Sequence, residues 1–180
     1  MDIPCNVLSI LKVRNRRLEW TQIMRSNDLF LGLPHNIVQF TSLQEIVAGW
    51  LDVDLGAYNH VSHSLHYYLK QGSIKDRVKP VKVPCNNDSL MLPKSEFERV
   101  LGRLLSFGEL LIGDNRPEQI VGDLEDLSVP PAYFNLAAIL AAEALRRRNE
   151  RKLSRKMSMR CSNDCLKFLF DRWLARTEGT

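Results

Sequence analysis

Four short patterns of reactive side chains follow one another in the first third of the chain: Pro4-Cys5, Arg25-Ser26-x-Asp28, Gly32-x-Pro34-x-Asn36 and His66-x-Tyr68. A thiol becomes a nucleophile only as the thiolate, so Cys5 needs nearby positive charge to be reactive at neutral pH. A guanidinium such as that of Arg25 grips phosphate oxygens through charge-assisted hydrogen bonds. The primary amide of Asn36 both donates and accepts, which suits a base edge that does the same. Each pattern alone occurs by chance; all four in order define one candidate site.

Local elements must hold these groups. Residues 7–13 are rich in aliphatic and β-branched side chains and predict a strand. After the polar break at 14–17, residues 18–24 alternate, with Leu18, Trp20 and either Thr21 or Ile23 facing inward; the two strands predict a hairpin. Gly32 and Pro34 mark residues 30–36 as a shaped loop. From Ile37 to Leu51, apolar residues Ile37, Phe40, Leu43, Ile46, Val47 and Trp50 recur at helical steps, predicting a helix with one buried stripe that Asn36 could cap. A turn at 52–56 and a strand over 58–69 follow.

The second half is helix-rich. Pro80, Pro84 and Pro93 punctuate a loop, residues 95–111 predict a helix with Phe97, Val100, Leu101, Leu104 and Leu105 on one side, and 113–131 reads as an irregular connector. Pro130-Pro131 opens an alanine-rich helix over 133–148, a basic stretch follows, and a last helix is expected near 164–176 with Leu166, Phe168, Leu169, Phe170 and Trp173. No internal repeat is evident.

Laid on the chain in register from Pro4 to Tyr68, the four patterns resemble those of the thymidylate synthase family: a Pro-Cys-His nucleophile segment, then Arg-Ser-x-Asp, then Gly-x-Pro-Phe-Asn, then His-x-Tyr. The resemblance covers about the first 70 residues. It implies an α+β fold, a mixed sheet with a packed long helix, and a nucleotide-binding region over residues 1–78 joined to a divergent helix-rich region over 79–180. It implies that Cys5 adds to C6 of a deoxyuridylate so that C5 can take a methyl group from 5,10-methylenetetrahydrofolate. Arg25 would bind the phosphate and favour the thiolate, Ser26 would donate to the same phosphate, and Asp28 would hydrogen-bond near the pyrimidine. Gly32 would let the loop backbone approach folate or base, Asn36 would accept from N3–H and donate to O4, and His66 with Tyr68 would hold the sugar 3′-hydroxyl. The related cytidylate hydroxymethylases carry Asp where this chain has Asn36, so the amide favours uracil. Two other functions stay open: hydroxymethylation of a pyrimidine nucleotide, where water replaces the hydride, and a non-catalytic nucleotide-binding or interaction protein on the same half-fold.

The chain departs from the family pattern at Asn6 (His in the family), His35 (Phe), Ser64 (Asp), and Ser62 and His63 (Gly). Only Met1 to Pro4 precede Cys5 in this sequence, so the family's earlier half, with arginines donated across a dimer, a water-organising glutamate and a folate-pocket tryptophan, is expected to be absent. The family's closing C-terminal segment is not recognisable in Thr177–Thr180. This polypeptide alone is therefore expected not to turn over, and the resemblance implies a homodimer.

Composition sets the outer bounds. The 180 residues, 44% hydrophobic and 26% charged, suffice for a folded core, and the net charge of +4 suits an anionic ligand. Four cysteines without a secretory leader, and no apolar run near the roughly 18 residues that span a bilayer, point to a cytoplasmic protein with reduced thiols and no membrane segment. Cys161 and Cys165 lack the further ligands of a zinc site, so no metal is expected. The basic run from Arg146 to Arg160 is expected to be a solvated helix end rather than a nucleic-acid contact.

Overall fold

In the computed structural model, residues 4–69 and 81–178 are described. Pro80, the end of the chain after Glu178 and the boundary expected at 78/79 lie outside the described residues. The chain divides into two compact units, Met1–Val81 with Leu90–Lys94, and Lys82–Ser89 with Ser95–Thr180.

The first unit begins with β1 (Asn6–Arg14) and β2 (Arg17–Met24), paired antiparallel. The turn residues Asn15 and Arg16 have φ of 49° and 57°, the doubly left-handed geometry whose twist matches a hairpin. Along β2, Leu18, Trp20, Gln22 and Met24 are buried in strict alternation. Thr21 and Ile23 therefore face the other side and are only half-buried, which corrects their expected inward placement.

After the short β3 (Asn27–Asp28) comes α1 (Gly32–Leu51), then β4 (Asp54–Ser62), which pairs parallel with β2. The main sheet runs β1-β2-β4 and is mixed; β5 (Leu65–His66) pairs parallel with β3 as a second small sheet. This is the expected α+β arrangement. The single strand expected over 58–69 is instead two, starting at Asp54 and broken at His63-Ser64.

The helix starts five residues before its expected first residue. Gly32 and Pro34 both lie in its first turn, where a backbone N–H has no helical acceptor and proline costs nothing. Asn36 is consequently inside the helix and does not cap it; the N-cap position is Leu31, without a side-chain cap bond. The inward face is also not the apolar stripe. Phe40, Gln44 and Ala48 are buried, whereas Ile37, Leu43 and Trp50 stay more than a third exposed. Gln44 is inside for a physical reason. Its Nε2 donates to Leu18 O at 2.7 Å and to Gly56 O at 3.3 Å, beside the shift in β2–β4 register between Leu18 and Trp20 that disrupts the ladder.

The second unit is helical: α2 (Lys94–Ile112), α3 (Pro117–Glu125), α4 (Pro131–Arg147), α5 (Arg151–Ser158) and α6 (Asp164–Glu178). Within the expected connector 113–131 lies α3, whose Pro117 occupies the first-turn position that proline favours. The basic stretch forms α5, with Ser154 and Met157 turned inward. On α2 the buried residues are Val100 and Phe107, while Leu101 and Leu105 are exposed. The core gathers around α4, where Ala137, Ala138, Ala141, Ala142 and Leu145 meet Phe107, Ile120, Leu124, Met157, Cys161 and Phe170. Small side chains on α4 let its neighbours approach closely. No helix among the described residues is long and apolar enough to cross a membrane.

Candidate functional site

One end of the first unit is hollow. The antiparallel ladder brings Asn6 opposite Met24, so Cys5 and Arg25 lie side by side at that end of the hairpin. Arg25 N–H donates to Cys5 O at 2.9 Å, and its Nε donates to Pro4 O at 3.2 Å. Cys5 is half-buried and packs on the cluster of Trp20, Met24 and Phe40, the two rings lying 6.2 Å apart. The strand that carries it is clamped by Gln22, which is completely buried. Gln22 Nε2 donates to Asn6 Oδ1 and to Leu8 O, and its Oε1 accepts from Ser9 Oγ at 2.6 Å and Trp20 Nε1 at 3.3 Å. This clamp bridges the register shift between Asn6 and Leu8.

A second group of cavity-lining residues comes from β3, α1, β5 and the residues flanking them. Asp28 Oδ1 accepts the N–H groups of Phe30 at 2.8 Å and Leu31 at 2.6 Å, fixing the turn that leads into α1. At least one carboxylate oxygen of Asp28 is thus committed to the chain itself. Gly32, the first residue of α1, has a different neighbour from the one expected. A Cβ there would collide with Asn27 Oδ1, so the missing side chain makes room for an amide of this chain. Ser26 Oγ lies 3.4 Å from His66 Nδ1, and the rings of His66 and Tyr68 meet edge to face at 5.4 Å.

Cys5, Arg25, Ser26, Asp28, Gly32, Asn36, His66 and Tyr68 all line one cavity of about 870 Å³. All eight residues nominated from the sequence are therefore brought together, and none is left on another face. Trp20, Met24, Phe40 and Leu43 supply its apolar wall. The volume lies within the roughly 300–1,000 Å³ usual for small-molecule sites.

Three residues that shape the site were not nominated: Asn27, which lines the cavity itself, and Gln22 and His60 behind its wall. Asn27, only 3% exposed, donates from Nδ2 to Ser62 Oγ at 3.3 Å and contacts His60 Nε2 at 3.0 Å, while its Oδ1 accepts from Asn36 Nδ2 at 3.1 Å. Its backbone N–H donates to Ser64 O at 2.8 Å. His60 Nδ1 in turn lies 2.8 Å from the Tyr58 hydroxyl. Burial pushes the His60 pKa below its ordinary value and the Tyr58 pKa above its own, so both favour their neutral forms. The sequence signal for Asn27 was slight, since it fills the variable position of Arg-Ser-x-Asp. For Gln22 the signal was a polar residue at an inward position of an alternating strand.

Among the described residues no group of three or more His, Cys, Asp or Glu side chains could hold a metal. The four cysteines are free thiols, and burial raises the pKa of Cys161.

Comparison with known proteins agrees with this geometry. A deoxyuridylate hydroxymethyltransferase of Bacillus phage SP01 is 44% identical over 69 residues, covering 38% of this chain and 18% of that protein. A thymidylate synthase of Baumannia cicadellinicola subsp. Homalodisca coagulata is 36% identical over 84 residues, 45% of this chain and 32% of that protein. A thymidylate synthase of Mycoplasma mobile is 31% identical over 84 residues, 45% and 29% respectively. The matched segment thus spans under a third of each relative's own length. The family model for thymidylate synthase matches residues 2–107, more than half of the chain and the whole of the cavity wall. The chain belongs to the thymidylate synthase family.

Proposed function

We propose that the cavity binds deoxyuridylate and that Cys5 is the nucleophile of a one-carbon transfer to its C5 position. The observation that carries this is the convergence of a thiol, a guanidinium, a hydroxyl, an amide and an imidazole–phenol pair on one cavity, from four separate segments of the chain. The Cys5 thiolate adds to C6, and the electron pair passes through C5–C4 to O4, leaving C5 able to attack an electrophilic carbon. Arg25 sits beside the Cys5 segment and supplies positive charge both to the phosphate and to the thiolate. Ser26 adds a donor for the same phosphate. His66 and Tyr68, locked edge to face, present donors to the sugar 3′-hydroxyl. Asn36 faces N3 and O4 of the base. When bound, 5,10-methylenetetrahydrofolate supplies the one-carbon unit and the hydride that completes a methyl group. The apolar patch at Leu43, 38% exposed beside buried Phe40, fits the flat ring of such a molecule.

Among the described residues Arg25 is the single arginine or lysine on the cavity wall, whereas a phosphate carries nearly two negative charges. We infer that further cations come from a second subunit in a homodimer, as the family resemblance implies. A second outcome of the same chemistry has support of its own: the similarity to a deoxyuridylate hydroxymethyltransferase favours release of a hydroxymethyl product, with water taking the place of hydride.

Incubation with 5-fluorodeoxyuridylate and 5,10-methylenetetrahydrofolate, followed by mass spectrometry of the denatured chain, tests the proposal. The expected result is a mass increase lost in Cys5→Ser. An adduct that persists in Cys5→Ser removes Cys5 from its role, and absence of any deoxyuridylate binding by calorimetry removes the nucleotide site.

A further inference from the structure

An asparagine facing a pyrimidine is ambidextrous. With its oxygen toward N3 and its amino group toward O4 it accepts uracil; turned by 180° about its last bond, the same side chain offers a donor to N3 and an acceptor to N4 of cytosine. The amide of Asn36 alone therefore does not choose between the two bases, and something must hold its polarity.

We propose that Asn27, oriented by His60, is a positioning residue that fixes which end of the Asn36 amide faces the base and thereby makes the site selective for uracil over cytosine. The inference rests on the deoxyuridylate reading of the cavity and adds to it a chain of contacts that reaches Asn36 from within the protein. Asn27 Oδ1 accepts from Asn36 Nδ2 at 3.1 Å, which ties the amino end of the base reader to the protein. Gly32 leaves the room that this oxygen occupies. With its oxygen spent there, Asn27 must present its amino group to its other neighbours, Ser62 Oγ at 3.3 Å and His60 Nε2 at 3.0 Å.

Those two neighbours are not equivalent. A serine hydroxyl donates or accepts as required and so exerts no preference. A ring nitrogen does not have that freedom: Nε2 accepts only when it carries no hydrogen. The contacts therefore require His60 to be neutral with its proton on Nδ1, where the Tyr58 oxygen at 2.8 Å takes it as acceptor. Burial favours that neutral ring. If Nε2 carried the proton, Asn27 would turn its oxygen to the ring and its amino group to Asn36, and Asn36 would turn with it. The ring state of one half-buried histidine thus sets a donor–acceptor polarity two side chains away. Asn27 is 3% exposed, so water does not substitute freely for any of these partners.

The test combines base selectivity with a direct view of the ring. In the unliganded chain, long-range proton–nitrogen correlation is expected to show His60 protonated at Nδ1 and bare at Nε2; a proton on Nε2 would overturn the inference. By calorimetry, Asn27→Ala is expected to reduce the preference for deoxyuridylate over deoxycytidylate by roughly tenfold or more, the worth of one misplaced buried hydrogen bond. Asn27→Asp keeps an acceptor toward Asn36 and is expected to retain the preference while moving the His60 proton to Nε2. An unchanged preference in Asn27→Ala, or a loss in Asn27→Asp as large as in Asn27→Ala, counts against the relay. A parent chain without any uracil preference but with the expected His60 ring state would instead refute base reading by Asn36, leaving the fixed amide orientation intact.

Discussion

The two units of the chain are built on opposite principles. In the helical unit the core is one large apolar cluster of alanines, leucines, an isoleucine, a methionine, a cysteine and phenylalanines, and the buried polar side chains Asn135, Ser154 and Asn163 stand outside it, Asn135 bonded to Asp88 and Ser162. In the sheet unit the apolar cluster is only Trp20, Met24 and Phe40, and the other fully buried positions include Gln22, Asn27 and Gln44. Dry packing stabilises through area and shape and is indifferent to direction. Buried amides contribute little net stability when satisfied, yet each fixes the direction of several neighbours. The unit with the site has traded apolar volume for directional contacts.

The comparison can be broken or sharpened by experiment. The largest effect is expected in the helical unit, where Leu145→Ala removes a side chain with no exposure and should cost about 2–5 kcal/mol in unfolding free energy. A cost no larger than that of an exposed leucine would mean that its core is not the stabilising element. Gln22→Ala in the sheet unit should cost less, about 1–3 kcal/mol for partners left unsatisfied, but it should also slow adduct formation at Cys5 because the strand start loses its clamp. Full retention of the adduct rate would show that β1 is positioned without the amide.

The smallest effect belongs to Glu143. Its carboxylate accepts from Arg146 at 2.7 Å and 2.8 Å, from Arg147 at 2.9 Å and from Trp173 Nε1 at 3.2 Å. These bonds, led by that from Arg146, lower its pKa from 4.5 to about 2. The folded chain holds this proton less tightly than the unfolded chain. The resulting stabilisation is present above pH 4.5 and fades as the pH falls towards 2. Glu143→Gln should flatten that part of the acid unfolding curve and lower stability at pH 7 as well, by less than the full shift implies because Arg147 is largely exposed.

Much of the site was legible in the sequence because four reactive patterns kept their order and because strands with period-two alternation announce themselves. The hairpin and the inward placement of Leu18 and Trp20 followed from residues 7–24 alone. What stayed hidden has identifiable causes. Gly32 and Pro34 look like helix breakers, yet the first turn of a helix tolerates both, so α1 begins earlier than its apolar periodicity. Its inner face could not be found by hydrophobicity, because the sheet surface beneath it exposes carbonyls that want Gln44. Pro117 hid α3 in the same way. Asn27 stood at a position that the motif leaves variable, and only the cavity showed which amide it touches.

The hairpin tip has a mechanical consequence. Arg16 and Asp52 are both left-handed residues, and they are joined: Arg16 Nη2 donates to Asp52 O at 3.0 Å, and Asp54 N–H donates to Arg16 O at 2.8 Å. That far end of β1 is riveted, while most of its side chains, from Val7 to Val13, meet solvent. The strand is about 30 Å long at roughly 3.4 Å per residue, with Cys5 just beyond its other end, where the Arg25 N–H donates to Cys5 O. One degree of tilt would carry Cys5 about 0.5 Å, a displacement comparable to the tolerance of a reacting pair. The rivet and the Gln22 clamp together fix the position of Cys5, the proposed nucleophile.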